Sequence, residues 1–531
     1  MVERKISEII TAGDTALGIE LGSTRIKVAL ISMNLQTIAT GSFEWTSQFQ
    51  NGNWTYALDD VWKGIQSAYR DLGSKVERQY HVTITKIQTI GVSAMMHGYL
   101  PFDQRGNLLV PFRTWRNNST QAAAKALSRI FDVNIPQRWS IAHLYQAILN
   151  HEDHVSQLDF VTTLAGYVHW QLSGKKVLGI GDASGMFPIS EQTKTYREDL
   201  VDRFEKLPSV SDYPWQLKQI LPKPLVAGKR AGTLSEVEAK LIDPTNALQA
   251  GSFMAPPEGD AGTGMVSTNS VRVGTGNISV GTSAFAMIVL KQLPTSPSDD
   301  IDIVKTPDGA NVAMVHANNC TSDLNAWMSL LSDVVEVAGH SLSDDQLYSA
   351  LLNTIADSEP DAGTLVNFAN VSGENITQVV EGRPLFVRRP TSHFNLPNFM
   401  LSQLYASFAP LAIGMNAIDE SDRQVKQLVA QGGLFRTPLI AQQVLADVLS
   451  LPITIQAQAS EGGPWGMAVL AIYANRYADQ LSLIEYLDQI VFAEVARQTL
   501  RPDPKRVAGF KSFLQHYQDG LPLARMAGNV I

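Results

Sequence analysis

Two short turns stand out by residue type and spacing. Gly22-Ser-Thr separates the strand-like runs Thr15–Ile19 and Ile26–Ile31, and Gly281-Thr-Ser divides the β-rich run that begins at Asn277. A glycine lets another group approach the backbone closely, and the amides and hydroxyls that follow it can face a phosphate. Other routes to phosphate or metal chemistry are missing. No Gly-x-x-x-x-Gly-Lys-Ser/Thr run occurs, so a P-loop is not expected. There is no His-Glu-x-x-His, and the ten histidines show no metal-ligand spacing. Cys320 is the only cysteine, which excludes an intrachain disulfide and a thiolate cluster and suits a reducing compartment, the cytoplasm.

Each turn needs strands to hold it. In the first half a further strand is expected over Thr37–Trp45, a covering helix over Leu58–Lys75, and a short buried strand over Ile87–Val92 that ends in Ser93-Ala-Met-Met-His-Gly. The second half repeats the style after Asp260-Ala-Gly-Thr-Gly. Helices are expected there over Thr321–Val337, Asp344–Ile355, Met400–Ile418, Ser421–Val429, Leu439–Leu449 and Gly463–Arg476. Two hydroxyl-bearing turns, each heading one half, suggest two related α/β domains closing on one nucleotide. The boundary is placed in the Gly/Ser/Thr/Asn-rich stretch Thr263–Thr275, giving domains 1–268 and 269–531.

Composition narrows the partners. A chain of 531 residues that is 44% hydrophobic can bury more than one core. Lys and Arg number 42 against 51 Asp and Glu, a net charge of −9 with no basic run, so nucleic acid is not an expected partner. Residues 1–15 carry charges of both signs and no long apolar core, unlike a signal peptide. Thr391–Ile418 lacks charged residues but contains Pro397, Pro410 and several amides and hydroxyls, so it is expected as a loop and buried helix rather than a membrane span.

Several segments, in chain order, together resemble the FGGY carbohydrate kinases of the actin/Hsp70/sugar-kinase superfamily. Gly18-Ile-Glu-Leu-Gly-Ser-Thr-Arg is similar to the family's first phosphate motif, and Gly91-Val-Ser-Ala-Met-Met-His-Gly with Pro111-Phe-Arg-Thr-Trp to its sugar segment. Glu258-Gly-Asp-Ala-Gly-Thr-Gly resembles its catalytic segment, and Ser279-Val-Gly-Thr-Ser its second phosphate motif. Phe368-Ala-Asn-Val-Ser-Gly-Glu-Asn looks like a variant of its Gly-Glu loop, and Gln431-Gly-Gly-Leu-Phe-Arg-Thr like its adenosine motif.

The resemblance implies two ribonuclease-H-like α/β domains with an interdomain cleft, ATP and Mg2+ as cofactors, and a small sugar as substrate. Asp260 is the implied general base, taking the proton of the attacking sugar hydroxyl. Gly22, Ser23, Thr24, Gly281 and Thr282 are implied phosphate contacts, and Gly432, Gly433 and Thr437 adenosine contacts. Glu20 and Asp260 are the implied metal-side carboxylates. Met96 and His97 resemble the Met-His pair of xylulose kinases. Trp115, Asn117 and Phe285 complete the implied sugar pocket.

Four departures mark a divergent branch. Glu20 replaces the usual Asp, Arg116-Asn-Asn-Ser follows Trp115, His143 closes a segment without the usual lysine, and Gly166 stands where an Asp is common. The expected reaction is ATP-dependent phosphorylation of a ketopentose, xylulose first. The alternatives are a kinase of ribulose, glycerol or gluconate, or a catalytically weak nucleotide-gated sugar-binding module. No membrane partner is expected, and a homodimer is one option.

Overall fold

The computed structural model describes residues 5–294, 298, 301–418, 425–436, 439–456 and 462–530. The chain forms two compact units. The first comprises Met1–Arg272, Ile303–Val312 and Glu461–Glu494, and the second Val273–Asp302, Ala313–Ser460 and Val495–Ile531.

The sheet of the first unit runs in the order Gly232–Thr233, Phe253–Met254, Thr89–Ala94, Thr15–Leu21, Arg25–Ser32, Thr37–Glu44. Thr15–Leu21 is buried at every residue because it lies between a parallel neighbour, Thr89–Ala94, and an antiparallel one, Arg25–Ser32. Glu258–Gly259 pairs parallel with the end of Thr89–Ala94, which brings residue 260 beside residue 95. The helix Leu58–Tyr80 covers one part of this sheet, burying Val61, Ile65, Ala68, Leu72 and Val76 at helical spacing. A second helix, Gly462–Ile472, comes from far along the chain and packs on Thr15–Leu21 and Thr89–Ala94. It is apolar on all sides and buried from Pro464 to Ile472.

In the second unit, Ala284–Val289, Thr275–Val280, Gln427–Gln431, Ile453–Gln456 and Arg497–Leu500 follow one another in one sheet. Thr275–Val280 pairs antiparallel with Ala284–Val289 and parallel with Gln427–Gln431. The helix Leu396–Met415 is buried along nearly its whole length, as its uncharged sequence predicts. Among the described residues no helix is long and apolar enough to cross a membrane.

The expected helix Ser421–Val429 is corrected. Gln427–Gln431 is a strand flanked on both sides by parallel neighbours, and residues 419–424 lie outside the described residues. A short apolar run such as Leu428-Val-Ala carries no period of its own, so sheet partners decide its state. The helix expected over Gly463–Arg476 ends its α-helical part at Ile472 and continues as a π-turn over Tyr473–Tyr477.

Candidate active site

The site of the first unit begins with the turn at 22–24. Gly22 N–H donates to the Arg25 carbonyl at 3.0 Å and closes the hairpin. Two aromatic side chains fix the turn from outside: Trp45 Nε1 donates to the Gly22 carbonyl at 2.7 Å, and the Tyr56 hydroxyl to the Ser23 carbonyl at 2.6 Å. Their carbonyls are thus committed to protein, while Thr24 is exposed and Gly22 and Ser23 are half-buried.

Glu20 precedes this turn and is only 8% exposed. Its register partner across the hairpin is Lys27, whose Nζ stands 4.0 Å from Oε1. Oε2 is buried without a hydrogen-bond partner among the described residues. Burial raises the Glu20 carboxyl above its ordinary range, against the opposing pull of Lys27 and the Gly463 N–H. Gly463 suits its place because a Cβ there would stand 2.5 Å from Glu20 Oε2.

Asp260 opens the helix Asp260–Ser267 immediately after the Glu258–Gly259 strand. Its Oδ1 accepts the Met96 N–H at 3.2 Å and the Ala261 N–H at 2.9 Å. The residue remains partly exposed, yet burial of the carboxyl and then the charge of Glu20 push its pKa up to about 7. Glu20 and Asp260 therefore destabilise each other's charge, a pairing that a cation relieves.

Met96 and His97 follow the strand Thr89–Ala94. His97 holds a left-handed backbone with φ of 69°, and Gly98 continues it at 93°. The His97 Nδ1 lies 3.3 Å from the Gly185 carbonyl. A carbonyl can only accept, so this contact makes Nδ1 a donor.

Two further carboxyls, which carried no role in the sequence reading, adjoin these residues. Glu258 is buried and accepts the Gly181 and Asp182 N–H groups at 3.2 and 3.0 Å; burial and then Asp182 push it up to about 8. Asp182 is fully buried, accepts the Thr163 hydroxyl at 2.6 Å, and is pushed up to about 7, chiefly by burial. Glu258 sits in the quoted catalytic segment, but nothing in the sequence singles out Asp182.

Trp115 is half-buried against the core of this unit. Asn117 is 3% exposed and spends its carboxamide on the backbone: Oδ1 accepts from Trp54 N at 2.7 Å, and Nδ2 donates to the carbonyls of Trp54 and Thr114. That pattern pins the loop bearing Trp115.

The remaining candidates lie in the second unit. Gly281 and Thr282 are exposed at the end of the strand Thr275–Val280. Gly432 and Gly433 are exposed at the end of its parallel neighbour, Gln427–Gln431. Both turns thus lie at carboxyl ends of adjacent parallel strands, where open α/β sheets bind ligands. Gly432 has φ of 133°, and a Cβ there would stand 2.0 Å from the Val280 carbonyl, so only glycine brings the two turns this close. Phe285 is half-buried and edge-on to His316, with ring centroids 6.4 Å apart. Thr437 lies outside the described residues.

The structure brings Glu20, Met96, His97 and Asp260 together in one unit, and Gly281, Thr282, Gly432 and Gly433 in the other. Among the described residues no group of three or more His, Cys, Asp or Glu could hold a metal ion. Two carboxylates, one of them almost wholly buried, still fit Mg2+, which keeps water and phosphate oxygens as most of its ligands.

Comparison with known proteins bears on the family and the fold. Residues 15–236 match the profile of the FGGY family of carbohydrate kinases, N-terminal domain, and residues 276–475 match that of its C-terminal domain. The chain is 20% identical over 484 residues to a xylulose kinase of Staphylococcus xylosus, covering 87% of this chain and 91% of that one. Its fold is similar to that of a ligand-bound xylulose kinase from Lactobacillus acidophilus, with a TM-score of 0.79, 17% identity, and 97% and 99% of the two chains covered. A gluconate kinase from Lactobacillus acidophilus gives the same TM-score of 0.79 at 17% identity, again covering 97% and 99%.

Proposed function

The chain belongs to the FGGY family of carbohydrate kinases, and from that premise we propose that it phosphorylates a ketopentose, with xylulose the leading substrate. The observation that carries this reading is the strand-end junction of residues 96, 97 and 260: the Met96 amide holds the Asp260 carboxyl, and the next residue, His97, turns its imidazole to the Gly185 carbonyl. Burial and the charge of Glu20 raise the proton affinity of Asp260, which favours its taking a proton from a hydroxyl. Oδ1 takes the Met96 and Ala261 amides, which leaves Oδ2 for the proton of the attacking hydroxyl. The His97 imidazole suits a second hydroxyl of the sugar, because a ring of this type can donate to or accept from a polyol. The similarity to a protein named xylulose kinase favours the ketopentose over other polyols.

ATP is the phosphoryl donor that the family implies. In our reading its phosphates meet the amides and hydroxyls of Gly22, Ser23, Thr24, Gly281 and Thr282, with adenosine against Gly432, Gly433 and Thr437. Glu20 and Asp260 would hold Mg2+, which supplies positive charge against the phosphate oxygens. Trp115 and Phe285 serve as apolar walls, and Asn117 as the support of the first.

A coupled ADP-release assay over pentuloses, hexuloses, polyols and aldonates tests the proposal. The expected result is the highest kcat/KM on a ketopentose. A tenfold preference for gluconate or glycerol would replace the substrate while leaving the family untouched.

A further inference from the structure

We propose that Glu374 and Asn319 position the Gly281–Thr282 turn and so set nucleotide affinity without touching the nucleotide. The inference rests on reading that turn as a phosphate site. Glu374 is completely buried, in the loop that follows Phe368. Its Oε2 accepts the Asn319 backbone N–H at 3.1 Å and the Asn319 Nδ2 at 3.2 Å, and its Oε1 accepts the Ile376 N–H at 3.4 Å. Asn319, 2% exposed, returns the contact: Oδ1 accepts from Ser372 N at 3.0 Å and Ser372 Oγ at 3.1 Å. Every polar atom of the Asn319 side chain is thereby committed to the 372–374 loop.

The next two residues grip the turn. Cys320 N–H donates to the Thr282 carbonyl at 2.8 Å, while Thr321 donates to the Gly281 carbonyl through N at 3.1 Å and Oγ1 at 2.8 Å. A trans peptide carries its N–H on the side opposite its C=O. With the Gly281 carbonyl turned to Thr321, the Thr282 N–H points the other way; with the Thr282 carbonyl turned to Cys320, so does the Ser283 N–H. Neither N–H is taken by a described residue. Two consecutive amides facing one way form an anion-binding concavity. Asn319, anchored by Glu374, fixes where residues 320 and 321 sit, and therefore where these amides aim.

The test is steady-state kinetics on Asn319→Ala, Thr321→Val, Glu374→Gln and Glu374→Ala, each checked for a cooperative thermal transition. Expected is a rise of about tenfold or more in KM for ATP with Asn319→Ala and severalfold with Thr321→Val, with KM for the sugar within twofold. Glu374→Gln should fall between wild type and Glu374→Ala. If Asn319→Ala does not fold, Thr321→Val alone decides. A folded variant with unchanged ATP requirement, or with equal rises for ATP and sugar, overturns the positioning role. Thr282→Pro, which deletes one of the two amides, separates the premises. If it leaves KM for ATP unchanged, the phosphate reading itself fails; if it raises that KM and Asn319→Ala does not, only the positioning fails.

Discussion

At the scale of single residues, Asp260 and His97 make opposite predictions. Asp260→Asn keeps an oxygen able to accept an amide N–H but removes the base, so kcat should fall by about 10² to 10⁴ while the KM for sugar changes little. Activity within a few-fold of wild type in the coupled assay would refute the assignment. His97→Ala should instead raise the KM for sugar at least about tenfold and leave that for ATP within twofold, and equal effects on both would remove His97 from the sugar site. Both residues were legible in the sequence because each follows a strand end in a motif of fixed order. Asp182 was not, since a fully buried carboxyl carries no local pattern and declares itself through tertiary partners such as the Thr163 hydroxyl. Asn117 shows the converse: it sits in the right segment, yet its carboxamide is consumed by the Trp54 and Thr114 backbone.

Among elements, the hairpins and long helices were readable from periodicity and the Gln427–Gln431 strand was not, because its partners, Thr275–Val280 and Ile453–Gln456, are distant in sequence. The start of the helix Gly462–Ile472 also matters to chemistry. Gly463→Ala would drive a methyl group against Glu20 Oε2, so the Mg2+ concentration for half-maximal activity should rise severalfold; an unchanged Mg2+ dependence would argue against Glu20 as a metal-side group. The loop that holds Glu374 predicts a pH effect on stability. Burial pushes this carboxyl from its ordinary 4.5 up to about 7. Between those values the folded protein retains a proton that the unfolded chain has released, so the group's contribution is full below about pH 4.5 and is lost as pH rises through about 7. The stability of wild type relative to Glu374→Gln should therefore fall between pH 5 and pH 8, by an amount on the order of 1 to 3 kcal/mol. Urea midpoints at the two pH values check it, and a pH-independent difference would contradict it.

For the whole molecule, a net charge of −9 would be compatible with an anionic nucleotide if its donors are backbone amides and hydroxyls gathered in turns, as proposed above. Composition could not reveal that the chain leaves its first unit and comes back to it. Residues 461–494 complete that unit, and the helix Gly462–Ile472 covers strands laid down before residue 95. A fragment ending at Arg272 should accordingly lack a cooperative unfolding transition, and observing one would show that the early strands need no late cover. The same return has a consequence during synthesis. A ribosome adding about 5 to 20 residues per second spends on the order of 20 to 70 seconds between the strand ending at Ala94 and its cover at Gly462. Throughout that interval an apolar sheet face waits unshielded on the nascent chain, so yield in the cell should depend on holdase chaperones far more than refolding of the finished polypeptide does.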